Sequence, residues 1–237
     1  MPLPFPKLEA LSQAQLLSEI DAFLDVYQPL LDTANIGGMG TPDMFSLYYV
    51  LKHLRPAKFV ESGSWQGWSL WLARKTLEED AALFSLDPMD AREYRDPLAT
   101  YFTGRSFVDF LSVVTEFGEI GYRDLAFFDD HQDVIPRLTK AQSLGFSFAL
   151  LNDNYPIGAG SHRTLSHAIE RGEVPQGLID STYQFPNIVK GTKRQSQVEY
   201  LFEDPEFLLT APRRKCLLEQ SERYRWNTFV HLLPTRK

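Results

Sequence analysis

The stretch Lys58 to Leu77 constrains the fold more than any other. A short apolar run, Lys58-Phe59-Val60-Glu61, passes through Ser62-Gly63-Ser64-Trp65-Gln66-Gly67 into a helical pattern from Ser69 to Leu77. A buried strand that turns through two glycines into a helix is the opening unit of an α/β sheet. Gly63 permits the tight turn and lets backbone N–H groups approach a ligand, and Gly67 lets the helix pack closely on the strand. A dinucleotide-binding turn needs a further glycine between these two, and Ser64 to Gln66 supply none. Nicotinamide and flavin dinucleotides are therefore disfavoured.

The same alternation continues downstream. Leu83 to Asp87, Ala99 to Thr103, Leu125 to Phe128 and Phe146 to Leu151 read as strands, with a helix from Pro136 to Leu144 stopped by Gly145. Strands alternating with helices predict parallel strands and crossover connections, hence a doubly wound, Rossmann-like sheet. Ahead of it lie two helices. The first begins with a capping box at Ser12 and Gln15, and the second begins with Thr41 as cap and Pro42 in the first turn. Residues 1–56 form an N-terminal helical cap, and 57–237 one compact unit. Further on, Ser161 to Arg171 reads as a helix, Tyr183 to Gln195 as a polar loop and Tyr224 to Leu233 as a final strand.

Composition narrows the partners. The chain has 237 residues, a formal net charge of -7 and 43% hydrophobic residues, which fits one globular α/β unit. An acidic protein is poorly suited to duplex nucleic acid or an anionic membrane, and the clusters Lys190 to Arg194 and Arg213-Arg214-Lys215 do not reverse that. Cys216 is the single cysteine, so no internal disulfide forms, and it reads as a buried structural thiol. The N-terminal segment lacks the pattern of a signal peptide, and no run is long enough to span a bilayer. The expectation is a cytoplasmic protein; its oligomeric state, homodimer included, is left open.

In an open α/β sheet, ligands gather at the carboxyl ends of the strands. Those ends carry Glu61, Asp87, Gly104, Asp129-Asp130-His131 and Asp153-Asn154. Such residues also form turns, but their coincidence at successive strand ends points to a site. An acid ahead of the glycine turn suits a ligand bearing an ammonium and a sulfonium rather than phosphates. Asp87 stands where a carboxylate would bind the ribose hydroxyls of an adenosine.

With Glu61 to Gly67 and Asp87 so placed, the segment Phe59 to Leu151 resembles the class I S-adenosylmethionine-dependent methyltransferases. The resemblance implies a seven-stranded, mostly parallel sheet whose last strand is antiparallel. It implies a cofactor site drawing on Glu61, Ser62, Gly63, Gly67, Ser69 and Asp87, with Ser106 and Phe107 bordering the adenine. The acids at the strand ends are similar to those of metal-dependent small-molecule O-methyltransferases, with Asp129 as one ligand and Asp153-Asn154 as the pair. Oxygen ligands of this kind suit Mg2+ or another divalent cation. Asp129 and Asp153 binding substrate or shaping turns without a metal is the alternative. The catechol-type members carry a lysine where this chain has Gln132, which leaves His131, titrating near neutrality, as the candidate base.

The expected reaction is methyl transfer from S-adenosylmethionine to a hydroxyl of a small-molecule acceptor, such as a sugar or natural product. Two alternatives stay open: a metal-dependent hydroxylase on the same fold, and a non-catalytic methyltransferase-like binding protein. His162 and His167 do not share a helix face and read as surface or substrate-loop residues. Trp65, Tyr155, Tyr183 and Phe185 are aromatic side chains that either stack on an acceptor or pack.

Overall fold

The computed structural model describes residues 2–31, 38–189, 200–202, 214, 217 and 226–235. Two N-terminal helices lead in. The first, α1 (Gln13–Tyr27), starts with the reciprocal Ser12–Gln15 capping box and buries Leu16, Ile20, Phe23, Leu24 and Tyr27. The second, α2 (Thr41–Leu54), is capped by Gly40, whose N–H donates to Asp43 at 3.2 Å. Thr41 therefore joins the helix rather than capping it. The helix stops at Arg55, in left-handed backbone with φ 49°, directly before Pro56, because a residue preceding proline leaves the α region.

The strands that follow are β1 (Lys58–Ser62), β2 (Ala82–Asp87), β3 (Thr100–Thr103), β4 (Leu125–Phe128), β5 (Phe148–Leu151), β6 (Ile179–Gln184) and, after a separate pair β7 (Asn187–Val189) and β8 (Tyr200–Phe202), β9 (Thr228–Leu232). Seven of them form one sheet in the order β3-β2-β1-β4-β5-β9-β6. β9 runs antiparallel to both β5 and β6, and the other pairings are parallel. The predicted doubly wound sheet with an antiparallel final strand is the one observed. Helices α3 (Trp68–Thr76), α4 (Val134–Leu144) and the short α5 (Leu165–Glu170) complete the description.

Period-two alternation divides the core between the two faces of the sheet. Phe59 and Phe127 point to one face, where they join Phe23 of α1, Leu51 of α2 and Leu72 of α3. Val60 and Phe128 point to the other, against Leu138 and Ala141 of α4. Strands covered on both faces read as continuous apolar runs, which is why β1, β4 and β5 were legible. The N-terminal helices share a core with α3 and the sheet, and α2 brings its first turn to the strand ends.

Two readings need correction. The segment from Tyr183 read as a loop holds the last two residues of β6 and all of β7; the β6 sequence, Ile-Asp-Ser-Thr-Tyr-Gln, alternates weakly because it is an edge strand with exposed polar positions. The predicted 161–171 helix shrinks to α5, since Thr164, not Ser161, supplies the cap by accepting the His167 N–H. Cys216, the 190–194 basic cluster and Tyr224 lie outside the described residues, whereas Arg214 pairs with Asp21 of α1 at 2.6 Å. Among the described residues no helix is long and apolar enough to cross a membrane.

Candidate functional site

The β1 turn is shaped by contacts that only glycine allows. Gly63 has φ 86°, and a Cβ there would lie 2.4 Å from the Asp129 carbonyl oxygen. The turn therefore closes directly on the end of β4, where the Asp129 N–H donates to the Ser62 carbonyl at 2.9 Å. Gly67, with φ 87°, caps α3, and a Cβ on it would sit 2.6 Å from the Tyr94 carbonyl oxygen. Its smallness thus serves the β2–β3 link, not the helix-to-strand packing expected from the sequence.

Asp87, at the end of β2, organises this turn. One carboxylate oxygen accepts the N–H groups of Ser64 and Trp65 at 2.9 and 3.0 Å, and the other accepts Met89 N–H at 2.8 Å. A carboxylate offers about four acceptor positions, so three amides leave capacity for one hydroxyl. An internal acid on these amides also occupies the place a phosphate would take.

Below the turn, Glu61 is fully buried and accepts hydrogen bonds from Ser69 and Ser85. Burial raises its pKa to about 8, against the Ser69 hydrogen bond that lowers it. Ser69 and Glu61 thus satisfy each other within the protein.

A cavity of about 490 Å³ opens at the carboxyl ends of β1, β2, β4 and β5. One half is lined by Gly63, Trp65, Asp87, Pro88 and Met89, the other by Asp129, Asp130, His131, Asn152, Asp153 and Tyr155. Gly38 to Gly40 and Asp43, from the approach to α2 and its first turn, form a third wall. Among the described residues, four that are not glycine hold positive φ, and Trp65 (42°), His131 (53°) and Asp153 (54°) all line this cavity. Strained backbone of this kind clusters at functional sites.

In the second half, His131 Nε2 lies 2.9 Å from Asp153 Oδ2. That hydrogen bond raises the His131 pKa against the opposing effect of burial. Asp129 is held far above the usual carboxylate range by burial first and by the nearby Asp153 charge second, against a 2.7 Å hydrogen bond from Asn152. Asp130 is different: Arg137 Nη2 neutralises it at 2.9 Å, and the Ser62 hydroxyl donates to it at 2.6 Å. Single ligand atoms of Asp129, His131 and Asp153 lie within 4.8 Å of one another.

Among the predicted site residues, the structure brings Gly63, Asp87, Asp129, His131 and Asp153 around one cavity. Glu61, Ser62, Gly67 and Ser69 lie beneath or beside it without lining it. Ser106 does not line it either; its hydroxyl donates to the Thr103 carbonyl at 2.9 Å in the turn after β3, and Phe107 follows that turn. Asn154 is turned away from Asp129: its amide donates to Thr228 at 2.8 Å and its oxygen accepts Ser166 N–H at 3.0 Å. It anchors the loop after β5 to β9 and α5, and His131 takes the third place in the cluster instead.

His162, expected only as a surface or substrate-loop residue, has its ring 5.4 Å from that of His131. Sequence reasoning did not place Asn152 and Asp43 at the site, though both line the cavity. Linear spacing carries no signal for His162, because the loop that returns it to β4 has no periodic pattern.

No family model and no curated protein matches the sequence. Solved structures do match the fold. The O-methyltransferase TomG from Streptomyces achromogenes, involved in tomaymycin synthesis and solved with S-adenosylmethionine, aligns with TM-score 0.53 at 12% identity, over 91% of this chain and 89% of its own. An O-methyltransferase from Bacillus cereus solved with S-adenosylhomocysteine aligns with TM-score 0.51 at 14% identity, over 94% and 92%. Cofactor-bound Rv0187 from MTB aligns with TM-score 0.51 at 11% identity, over 92% and 91%. At these identities the likeness is one of fold: the chain has the fold of class I S-adenosylmethionine-dependent methyltransferases.

Proposed function

We propose that this protein transfers a methyl group from S-adenosylmethionine to a hydroxyl of a small-molecule acceptor. The observation that carries the reading is the division of one cavity into two halves. A glycine turn and Asp87 stand on one side, and a histidine–carboxylate pair stands on the other. The residues fit the cofactor: the walls carry several carboxylates, and Asp87 keeps acceptor capacity for a ribose hydroxyl. When bound, S-adenosylmethionine supplies an electrophilic methyl on a sulfonium.

The chain's own residues then have defined tasks. Asp153 accepts from His131 Nε2, which keeps the proton on that nitrogen and leaves Nδ1 as the basic one. His131 would take the acceptor's hydroxyl proton at Nδ1, readying that oxygen for the methyl group that the bound cofactor would supply. The resulting imidazolium is stabilised by Asp153. Positioning supplies much of the rest.

A second reading adds a divalent cation, and the proximity of Asp129, His131 and Asp153 favours it. Those three would hold the ion in place of the predicted Asp129, Asp153 and Asn154. A mixed imidazole and carboxylate set suits manganese, iron or zinc better than magnesium. The ion would supply Lewis acidity toward the acceptor oxygen.

The test is incubation with methyl-labelled S-adenosylmethionine and a panel of glycosides and phenols, with and without EDTA. Label that survives EDTA but disappears in H131A supports the base reading. Label lost on chelation and restored by Mn2+ supports the cation. A purified, cofactor-binding protein that labels nothing across broad panels favours a binding protein.

A further inference from the structure

Behind the cavity, one buried arginine ties three segments together. Arg137, on α4, is 4% exposed. Its guanidinium donates to both oxygens of Asp109, Nη1 to Oδ1 at 2.7 Å and Nη2 to Oδ2 at 2.9 Å. Nη2 also forms an ion pair with Asp130 Oδ2 at 2.9 Å. That same oxygen accepts the Ser62 hydroxyl at 2.6 Å, and the other Asp130 oxygen accepts the Gln132 N–H at 3.3 Å. Arginine suits the task, because its planar fork reaches two carboxylates at once.

The Asp130 carboxylate is thus engaged at both oxygens, although it belongs to the residue next to His131. Asp130, His131 and Arg137 share the wall of a second, smaller cavity of about 20 Å³, enough space to admit a water. A released Asp130 carboxylate has that space to turn into. It would bring a second anion to a ring that Asp153 already meets at 2.9 Å. Two carboxylates competing for one imidazole leave its orientation and tautomer undefined, whereas a single partner fixes both.

We infer that Arg137 is a positioning residue: by holding Asp130 against Ser62, it keeps that carboxylate off His131 and leaves Asp153 to orient the ring. This rests on the reading of His131 and Asp153 as the working pair. An arginine that only bridged α4 to the β3–β4 link would act through Asp109 instead, so the two carboxylates separate the roles.

The experiment uses the full chain labelled with 15N-histidine. Long-range proton–nitrogen spectra at one fixed pH are recorded for wild type, R137M, D130N/R137M, D109N and D153N, beside thermal melts, and H131A identifies the His131 signals. The expected result is that R137M moves the His131 ring nitrogens off their wild-type positions. D130N/R137M returns them, because an amide brings no charge to the ring, and D109N leaves them in place even where it lowers the melting temperature. His131 signals in R137M that superimpose on wild type overturn the proposal. So do signals that stay displaced in D130N/R137M, or a D109N shift as large as that of R137M, which would trace the effect to the β3–β4 link. Should R137M fail to fold, the double variant decides: wild-type His131 signals in it support the proposal, and failure of both to fold overturns it, because Arg137 would then serve the core alone. His131 signals unmoved in D153N remove the working pair and the proposal with it, whereas a D153N shift beside a silent R137M overturns the proposal alone.

Discussion

His131 and Asp153 reach each other at 2.9 Å from the ends of two neighbouring strands, and both do so in left-handed backbone, at φ 53° and 54°. For residues with a Cβ that conformation costs about 1–2 kcal/mol each. The surrounding fold holds the strain where the pair meets, as strained sites require.

His131→Gly and His131→Ala separate strain from chemistry. Both should cut methyl transfer by about 10²–10⁴-fold, the usual worth of a general base. H131G should nevertheless be about 1 kcal/mol more stable than H131A, because glycine adopts positive φ without cost. Denaturant melts of the two variants check the difference, and equal stabilities would show that the backbone at 131 is unstrained.

Glu61 predicts a stability slope with pH. Its native pKa is raised from 4.5 to about 8 by burial, so between those values the folded protein holds a proton that the unfolded chain has released. Stability therefore falls as pH rises through that window, by at most about 1.4 kcal/mol per unit from this group. Glu61→Gln should flatten the slope in urea melts between pH 5 and 8. An unchanged slope would mean that Glu61 is ionised in the fold.

Gly63 and Gly104 make a matched pair. A Cβ at Gly63 would collide with the Asp129 backbone, whereas one at Gly104 meets nothing within 4 Å. G63A should push the β1 turn off β4 and lose S-adenosylhomocysteine affinity along with several kcal/mol of stability. G104A should cost only about 1–2 kcal/mol of left-handed strain and leave affinity unchanged. Loss of affinity in G104A would instead restore the turn at Ser106 and Phe107 to the adenine site.

The fold was largely legible because strands buried on both faces announce themselves as apolar runs, and β1, β2, β4 and β5 all do. β6 was not, because an edge strand with exposed Asp180, Thr182 and Gln184 looks like a loop. The strand-end acids could be found for the same topological reason that ligands gather there. Their individual roles could not. Asp153 and Asn154 are adjacent in sequence, and only the tertiary partners Thr228 and Ser166 show that Asn154 faces away. Glu61 and Ser69 read as ligand contacts in sequence, yet each satisfies the other.

The central claim is that the half of the cavity built by Gly63 and Asp87 binds S-adenosylmethionine. Titration calorimetry of wild type and Asp87→Asn with S-adenosylhomocysteine tests it most directly. Asp87 accepts three backbone N–H groups, and an amide there replaces an acceptor oxygen with a donor that faces those N–H groups or leaves them unpaired. The account predicts one-site binding by wild type and at least about a tenfold loss in D87N, worth about 1.4 kcal/mol. Absence of heat with wild type at millimolar ligand, or equal affinity in the two proteins, would contradict it.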